Sequence, residues 1–275
     1  MLAECQAWGD RGSPLDFVSI HEYELSDGAA RDVLQVEDDA LAMDPARYEA
    51  LKTGSFESTP DWIPRTDPAS SEMYLGNGYV PARASDWMHR LVERGAQDPR
   101  YAHFESVLTV WPFDYNRQGI TSWTGLMRVD EDGDGTEDRI STIRKAIFNR
   151  AELMAHLSRD LDPLPARTLE GIRVAGVRSV AAEGQAFLLF AHDGFDTQSR
   201  EPVELSATLT VTGVPWPAVT VRRLRVDRDH SSPYRAYLAL PEQSLYAPGQ
   251  LTGLETADEL VEDGSAGPPA PDPCG

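Results

Sequence analysis

The chain has 275 residues, 41% of them hydrophobic, which is enough for a sizeable core in one or two domains and too apolar for a disordered chain. Its formal net charge of -20 and pI of about 4.6 exclude a nucleic-acid partner, whose phosphates it would repel, and suit neutral ligands. No run of about 18 or more apolar residues predicts a membrane span, and Cys5 and Cys274 sit at opposite ends, outside any metal, redox or disulfide-framework spacing.

Residues 1–8 read as the end of an amphipathic helix, neither a signal peptide nor a cap, and 9–14 as the turn after it. Leu15-Asp16-Phe17-Val18-Ser19-Ile20-His21-Glu22-Tyr23 then reads as a buried strand whose end turns polar. His21 and Tyr23 are two apart and share one face, with Glu22 on the other. Residues 24–54 are mixed and acidic. Within them Asp44-Pro45 is an N-cap followed by proline at the first helical position, for a short helix over 46–51. A short strand follows at 55–58. Pro60, Pro64 and Pro68 then rule out a long helix and leave an irregular loop containing Trp62. After a turn at 73–78, residues 82–95 form an amphipathic helix with Trp87, Leu91 and Val92 on its apolar side and Gly95 as C-cap. Val107-Leu108-Thr109-Val110-Trp111 is the next buried strand.

Asp130-Glu131-Asp132-Gly133-Asp134-Gly135-Thr136-Glu137-Asp138 carries Asp at positions 1, 3, 5 and 9 of a calcium-type loop and Gly at position 6. Alternating carboxylates of this kind converge on one hard cation, and the glycine allows the sharp turn. The candidate ligands are Asp130, Asp132, Asp134, Thr136 and Asp138. Position 12 is Ser141 rather than a bidentate Glu, so the loop is not an EF-hand and matches the single loops of extracellular modules. Residues 140–157 read as a helix, with Ile143, Ile147, Ala151 and Met154 at helical spacing. Pro163-Leu164-Pro165 marks a composition shift. Beyond it, alternating β-rich stretches at 173–179, 186–191, 203–211 and 219–226 suggest a β-sandwich, and the Pro/Gly-rich 263–275 a disordered tail.

Two segments resemble one family. Pro14-Leu15-Asp16-Phe17-Val18-Ser19-Ile20-His21-Glu22-Tyr23 is similar to a late barrel strand of family 39 glycoside hydrolases, the β-xylosidases and α-L-iduronidases. Asp227-Arg228-Asp229-His230-Ser231-Ser232-Pro233-Tyr234 resembles a segment of that family's C-terminal β-sandwich. The resemblance implies an α/β plus all-β fold, with residues 1–163 the C-terminal part of a (β/α)8 TIM-type barrel and 164–262 a β-sandwich. It implies a retaining glycosidase acting on a carbohydrate, with Glu57 as nucleophile and His21, Tyr23, Trp62 and Trp111 lining the sugar site. The family places an aromatic residue after its nucleophile; here Ser58 follows, and Glu22 and Glu105 are rival carboxylates. The family's acid/base Glu, which follows an Asn on an earlier strand, has no counterpart in this sequence. The expectation is therefore that the N-terminal half of the barrel belongs to a longer product, and that this chain alone has little activity. No organic cofactor is implied; the calcium-type loop suggests a structural Ca2+ and favours an extracellular or periplasmic setting. The rival reading is a non-catalytic carbohydrate-binding or cell-surface module.

Overall fold

The computed structural model describes residues 17–22, 28–48, 51–58, 79–101, 104–107, 113–115, 123–182, 184–192, 206, 208–212, 214–216, 218–227, 229–241 and 243–262. Their elements are β1 (Phe17–Glu22), α1 (Gly28–Met43), α2 (Pro45–Tyr48), β2 (Lys52–Ser58), α3 (Tyr79–Gln97), β3 (Phe104–Val107), β4 (Phe113–Tyr115), β5 (Thr124–Val129), β6 (Arg139–Arg144), α4 (Ala146–Ala155), β7 (Leu161–Leu169), β8 (Ile172–Ala181), β9 (Gly184–His192), α5 (Tyr234–Leu238) and α6 (Pro248–Ala257). The expected strand ending at Trp111 and the turn at 73–78 lie wholly or largely outside the described residues.

β1, β2 and β3 form one parallel sheet in that order, with α1 and α2 between the first two strands and α3 between the second and third. Parallel neighbours need such crossovers, and here each crossover contains helix. α1 is a correction to the sequence reading, which left 24–43 without an element. Its stripe of Val33, Val36, Ala40 and Leu41 follows helical spacing, and Val18 and Ile20 of β1 pack against it. Glu37 interrupts the stripe at a core position, which hides the periodicity.

α3 is buried on almost every side. Trp87 and Leu91 pack with Val33 of α1, Met88 and Val92 with Val177 and Leu188 of β8 and β9, and Ala84 with Ile147 of α4. It runs past Gly95, which therefore lies inside the last turn rather than capping it.

β4 runs parallel to β5, and β5 and β6 form an antiparallel hairpin. Here the expected helix over 140–157 is corrected. Ser141 and Ile143 are buried while Thr142 is exposed, the alternation of a strand. Lys145 is extended (φ -89°, ψ 167°), and helix begins only at Ala146. Ile143 pairs with Gly125 and joins Met127, Val129, Tyr246, Leu251 and Leu254 in a second core.

β7, β8 and β9 form an antiparallel sheet. Pro163 and Pro165 sit in β7, at the edge of the described sheet, where a missing N–H is tolerated, and a register shift separates Leu164 from Arg167. β7 runs through the boundary expected at 163/164, and α3 packs on all three strands. The expected strands 173–179 and 186–191 are present, as parts of β8 and β9. The described residues of 203–211 and 219–226 stand outside the named strands, with isolated bridges at Val221 and at Leu224, the latter to Glu262. Leu209 there is 43% exposed, and alternation holds a strand only where a neighbour covers its apolar side. Among the described residues the fold is mixed α/β with three small sheets and no closed barrel, and no helix is long and apolar enough to cross a membrane.

Candidate functional site

Two places gather the residues that the sequence singles out. The first is the C-terminal end of β1 and β2. Along β1, Val18 and Ile20 pack with residues of α1, while Ser19 and His21 on the opposite face are exposed. The strands pair from Phe17↔Lys52 to Ile20↔Ser55, and the register then shifts so that His21 stands opposite Glu57 and Glu22 opposite Ser58. Unshifted pairing would set His21 against Phe56. A one-residue bulge on β2 therefore brings the imidazole-bearing and carboxylate-bearing positions side by side, on strands spaced about 4.8 Å apart. Bulges of this kind re-aim residues at strand ends beside functional sites. The rival Glu105 sits at a register shift of β3, level with Thr53 and Gly54 and so toward the other end of the sheet. Tyr23, Trp62 and Trp111 lie outside the described residues.

The second place is the tip of the β5–β6 hairpin. Val129 pairs with Arg139, so 130–138 form the connecting loop. Its base is fixed: Asp130 N–H donates to the Tyr246 carbonyl at 3.0 Å, Tyr246 N–H donates to Arg128 at 3.0 Å, and Tyr246 is in the second core. Gly133 and Gly135 adopt φ of +81° and +88°, the left-handed conformation that glycine takes at no steric cost. Asp130 accepts from the N–H groups of Gly133 (2.7 Å) and Gly135 (2.9 Å), and Asp138 accepts from Glu131 N–H (2.7 Å). Arg128 pairs with Glu137, and Arg139 with Glu131 at 2.5 Å, so these two glutamates are engaged at the flanks. Carboxylate oxygens of Asp130, Asp132 and Asp138 converge within 4.8 Å of one another, a set that could hold a metal ion although largely exposed. Asp134 stands outside that set. Its carboxylate accepts the hydroxyl (2.6 Å) and N–H (2.8 Å) of Thr136, which together hold it below the usual carboxylate range. Ser141, at position 12, is turned inward and donates to Glu255 of α6 at 2.8 Å, so it does not face the loop.

Sequence reasoning passed over two buried carboxyls. Asp86 of α3 is fully buried; Arg173 Nε (2.7 Å) and Arg90 Nε (3.1 Å) donate to it, His192 Nε2 lies 3.2 Å away and Arg83 Nη1 3.9 Å. Burial pushes its pKa up, but His192, Arg173 and Arg90 outweigh that and hold it well below the usual carboxylate range. The same burial pushes His192 down. Glu37 of α1 is 4% exposed; Thr53 Oγ1 donates to its Oε1 at 2.6 Å, and Oε2 has no hydrogen-bond partner. Burial raises its pKa from 4.5 to about 7, against the opposing pull of Thr53 and Arg94. The available sequence signal for Glu37 was an acid at the helical spacing of Val33 and Ala40; Asp86, beside Trp87 in a predicted amphipathic helix, gave none.

No protein-family model matches the chain, and no curated protein matches it. Solved structures do resemble it, among them two β-xylosidases. A monomeric β-xylosidase from Caulobacter crescentus CB15 aligns at 13% identity and TM-score 0.48, over 96% of this chain and 54% of its own. A GH39 β-xylosidase from Caulobacter crescentus aligns at 15% identity and TM-score 0.46, over 95% of this chain and 48% of its own. The chain thus has a distant structural similarity to glycoside hydrolases of family 39 and spans about half the length of these two.

Proposed function

We propose that this chain is the C-terminal part of a retaining glycoside hydrolase of the β-xylosidase or α-L-iduronidase type, with Glu57 as its nucleophile. The observation that most supports this reading is the bulged register that sets Glu57 beside His21 at the C-terminal ends of two parallel strands. In open and closed α/β sheets alike, that end is where ligands bind. In the proposed reaction the Glu57 carboxylate attacks the anomeric carbon, and the bond to the leaving-group oxygen breaks as the glycosyl-enzyme forms. Water then attacks the same carbon, its proton passing to the group that protonated the leaving oxygen, which releases the sugar and frees the Glu57 carboxylate. His21 and Tyr23 hydrogen-bond the nucleophile or the sugar hydroxyls, and Trp62 and Trp111 offer apolar platforms for the ring. Retention requires a second carboxyl about 5–5.5 Å from the first to protonate the leaving group. The proposal assigns it to barrel strands beyond the portion that this chain spans.

Asp130, Asp132 and Asp138 are proposed to hold one Ca2+ as a structural ion, with Asp134 and the Thr136 carbonyl joining if the bond between those two residues opens. The ion would relieve repulsion within the loop and tighten the hairpin.

The functional test is turnover of 2,4-dinitrophenyl β-xyloside, whose leaving group departs without protonation. The wild type is expected to release dinitrophenolate and Glu57→Gln to lose at least about 1,000-fold while still binding xylose. Equal rates for the two proteins refute Glu57. The exposed acidic tip, in a different sheet from β1 and β2, favours one alternative, a non-catalytic carbohydrate-binding module. Glycan binding that depends on Ca2+, with no turnover of any activated glycoside, would establish it.

A further inference from the structure

The core under the first sheet contains a carboxyl that the glycosidase chemistry does not use. Glu37 takes a stripe position on α1, between Val33 and Ala40, where every neighbour in the helical spacing is apolar. Its side chain faces β2 through the bond from Thr53, itself buried, and its second oxygen has no hydrogen-bond partner. A neutral acid takes the Thr53 donor on one oxygen and leaves one uncharged hydroxyl without an acceptor, a smaller cost than burying a charge. An ionised carboxylate in the same place would leave a charged oxygen in the core without a donor. Either the proton stays or the helix must open to admit water.

We propose that Glu37 is a proton-operated latch: protonated, it docks α1 on the β1–β2 sheet, and ionised, it releases the helix. Among the described residues, the charged groups acting on it are few. Asp38 on its own helix opposes ionisation, and Arg94 of α3 favours it. Arg94 is itself shared with Asp38 at 3.9 Å and lies over the ring of Tyr101 at 4.1 Å. From β2 the facing group is Thr53, with Lys52 exposed beside it; β1 contributes Val18 and Ile20 to this core, and its His21 is exposed; α2 contributes the buried Tyr48. Among the described residues no guanidinium or ammonium closes on the carboxyl as three guanidiniums do on Asp86. The folded state therefore binds a proton that the opened state gives up, so docking is strongest below the ordinary carboxylate pKa of 4.5 and weakens as pH rises toward about 7. β1 and β2 carry His21 and Glu57, so release of α1 would loosen the frame of that pair. This consequence rests on the glycosidase reading, whereas the latch does not.

The test is read on the whole chain without any sugar. Amide exchange of α1, divided by the intrinsic rate, reports its opening equilibrium. Opening should increase about tenfold per pH unit between pH 5 and 7 and then level off, and Glu37→Gln should make the profile flat. The carboxyl carbon-13 resonance of Glu37 should titrate well above pH 4.5, and Thr53→Val, which removes a bond favouring the charged form, should move that midpoint higher. The carbon-13 measurement stands even if Glu37→Gln fails to fold. A Glu37 midpoint near 4.5, no upward move in Thr53→Val, or the same exchange slope in Glu37→Gln as in the wild type would each overturn the proposal. Loss of glycosidase activity in any assay would leave it untouched.

Discussion

Two carboxyls, one on α3 and one on α1, are almost equally buried and have opposite chemistry. Asp86, on α3 itself, faces β8 and β9; Glu37, on α1, faces β2. Both are almost inaccessible, at 0% and 4% exposure, so burial pushes both pKa values up. Asp86 is met by two guanidinium donors, a third guanidinium nearby and an imidazole, and is held ionised. Glu37 is met by one hydroxyl and drifts to about 7. The partners that the fold closes around a buried acid, and not the depth of burial, decide whether it is a clamp or a switch.

The largest effect is expected at the clamp. Asp86→Ala leaves Arg173 and the buried Arg83 without this carboxylate and should cost about 3–5 kcal/mol in urea unfolding. A loss below about 1 kcal/mol would mean that the network is not an ion clamp. Next comes the switch. Moving a carboxyl from 4.5 to about 7 withdraws about 3 kcal/mol of stability as pH rises through that window, so Glu37→Gln should exceed the wild type by about 1–3 kcal/mol at pH 8 and not at pH 4.5. The signs of the two groups are opposite. Asp86, with its folded pKa depressed, contributes stability that is full above 3.8 and lost as pH falls; Glu37 contributes stability that is full below 4.5 and lost as pH rises to about 7. The wild type should therefore be most stable at mildly acidic pH, a maximum that Glu37→Gln broadens upward and Asp86→Asn broadens downward.

Arg150 of α4 sharpens the comparison from the cationic side. It is 7% exposed, its partners among the described residues are Ser85 Oγ and the Ala84 carbonyl, both at 3.2 Å, and burial pushes its pKa down to about 10. With no carboxylate to strand, Arg150→Met should cost less than about 1 kcal/mol or stabilise the fold. The smallest effect is expected at the exposed hairpin. Asp130→Asn should change the melting temperature by less than about 2 °C in EDTA and abolish the rise that Ca2+ gives the wild type. A rise that survives the substitution would place the ion elsewhere.

Much of this was readable in advance, and the failures share a cause. β1 was legible because its apolar and β-branched residues bury one side only. α3 was legible because Trp87, Leu91 and Val92 mark a helix even though its opposite side is buried too. α1 was not, because the proton-binding residue occupies the core stripe and mimics a polar loop. β6 was misread because Ile143, Ile147, Ala151 and Met154 satisfy helical spacing, while the alternation of Ser141, Thr142 and Ile143 is visible only once β5 lies alongside. The acidic loop is a local motif, so its convergence could be anticipated. Its selection of Asp130, Asp132 and Asp138 over Asp134 could not, since that depends on the hydroxyl of Thr136. The pairing of His21 with Glu57 depends on one bulged residue, Phe56, and a bulge leaves no mark in a single sequence.

That pairing is the centre of the account, and one mass spectrum addresses it. Incubation with 2,4-dinitrophenyl 2-deoxy-2-fluoro-β-xyloside, which needs no acid catalyst to leave and whose fluorine slows hydrolysis of the intermediate, should add one fluoroxylosyl group to the peptide containing Glu57. The label should disappear in Glu57→Gln and form more slowly in His21→Ala. A label on Glu22 or Glu105, or bound sugar with no covalent adduct at all, would contradict it.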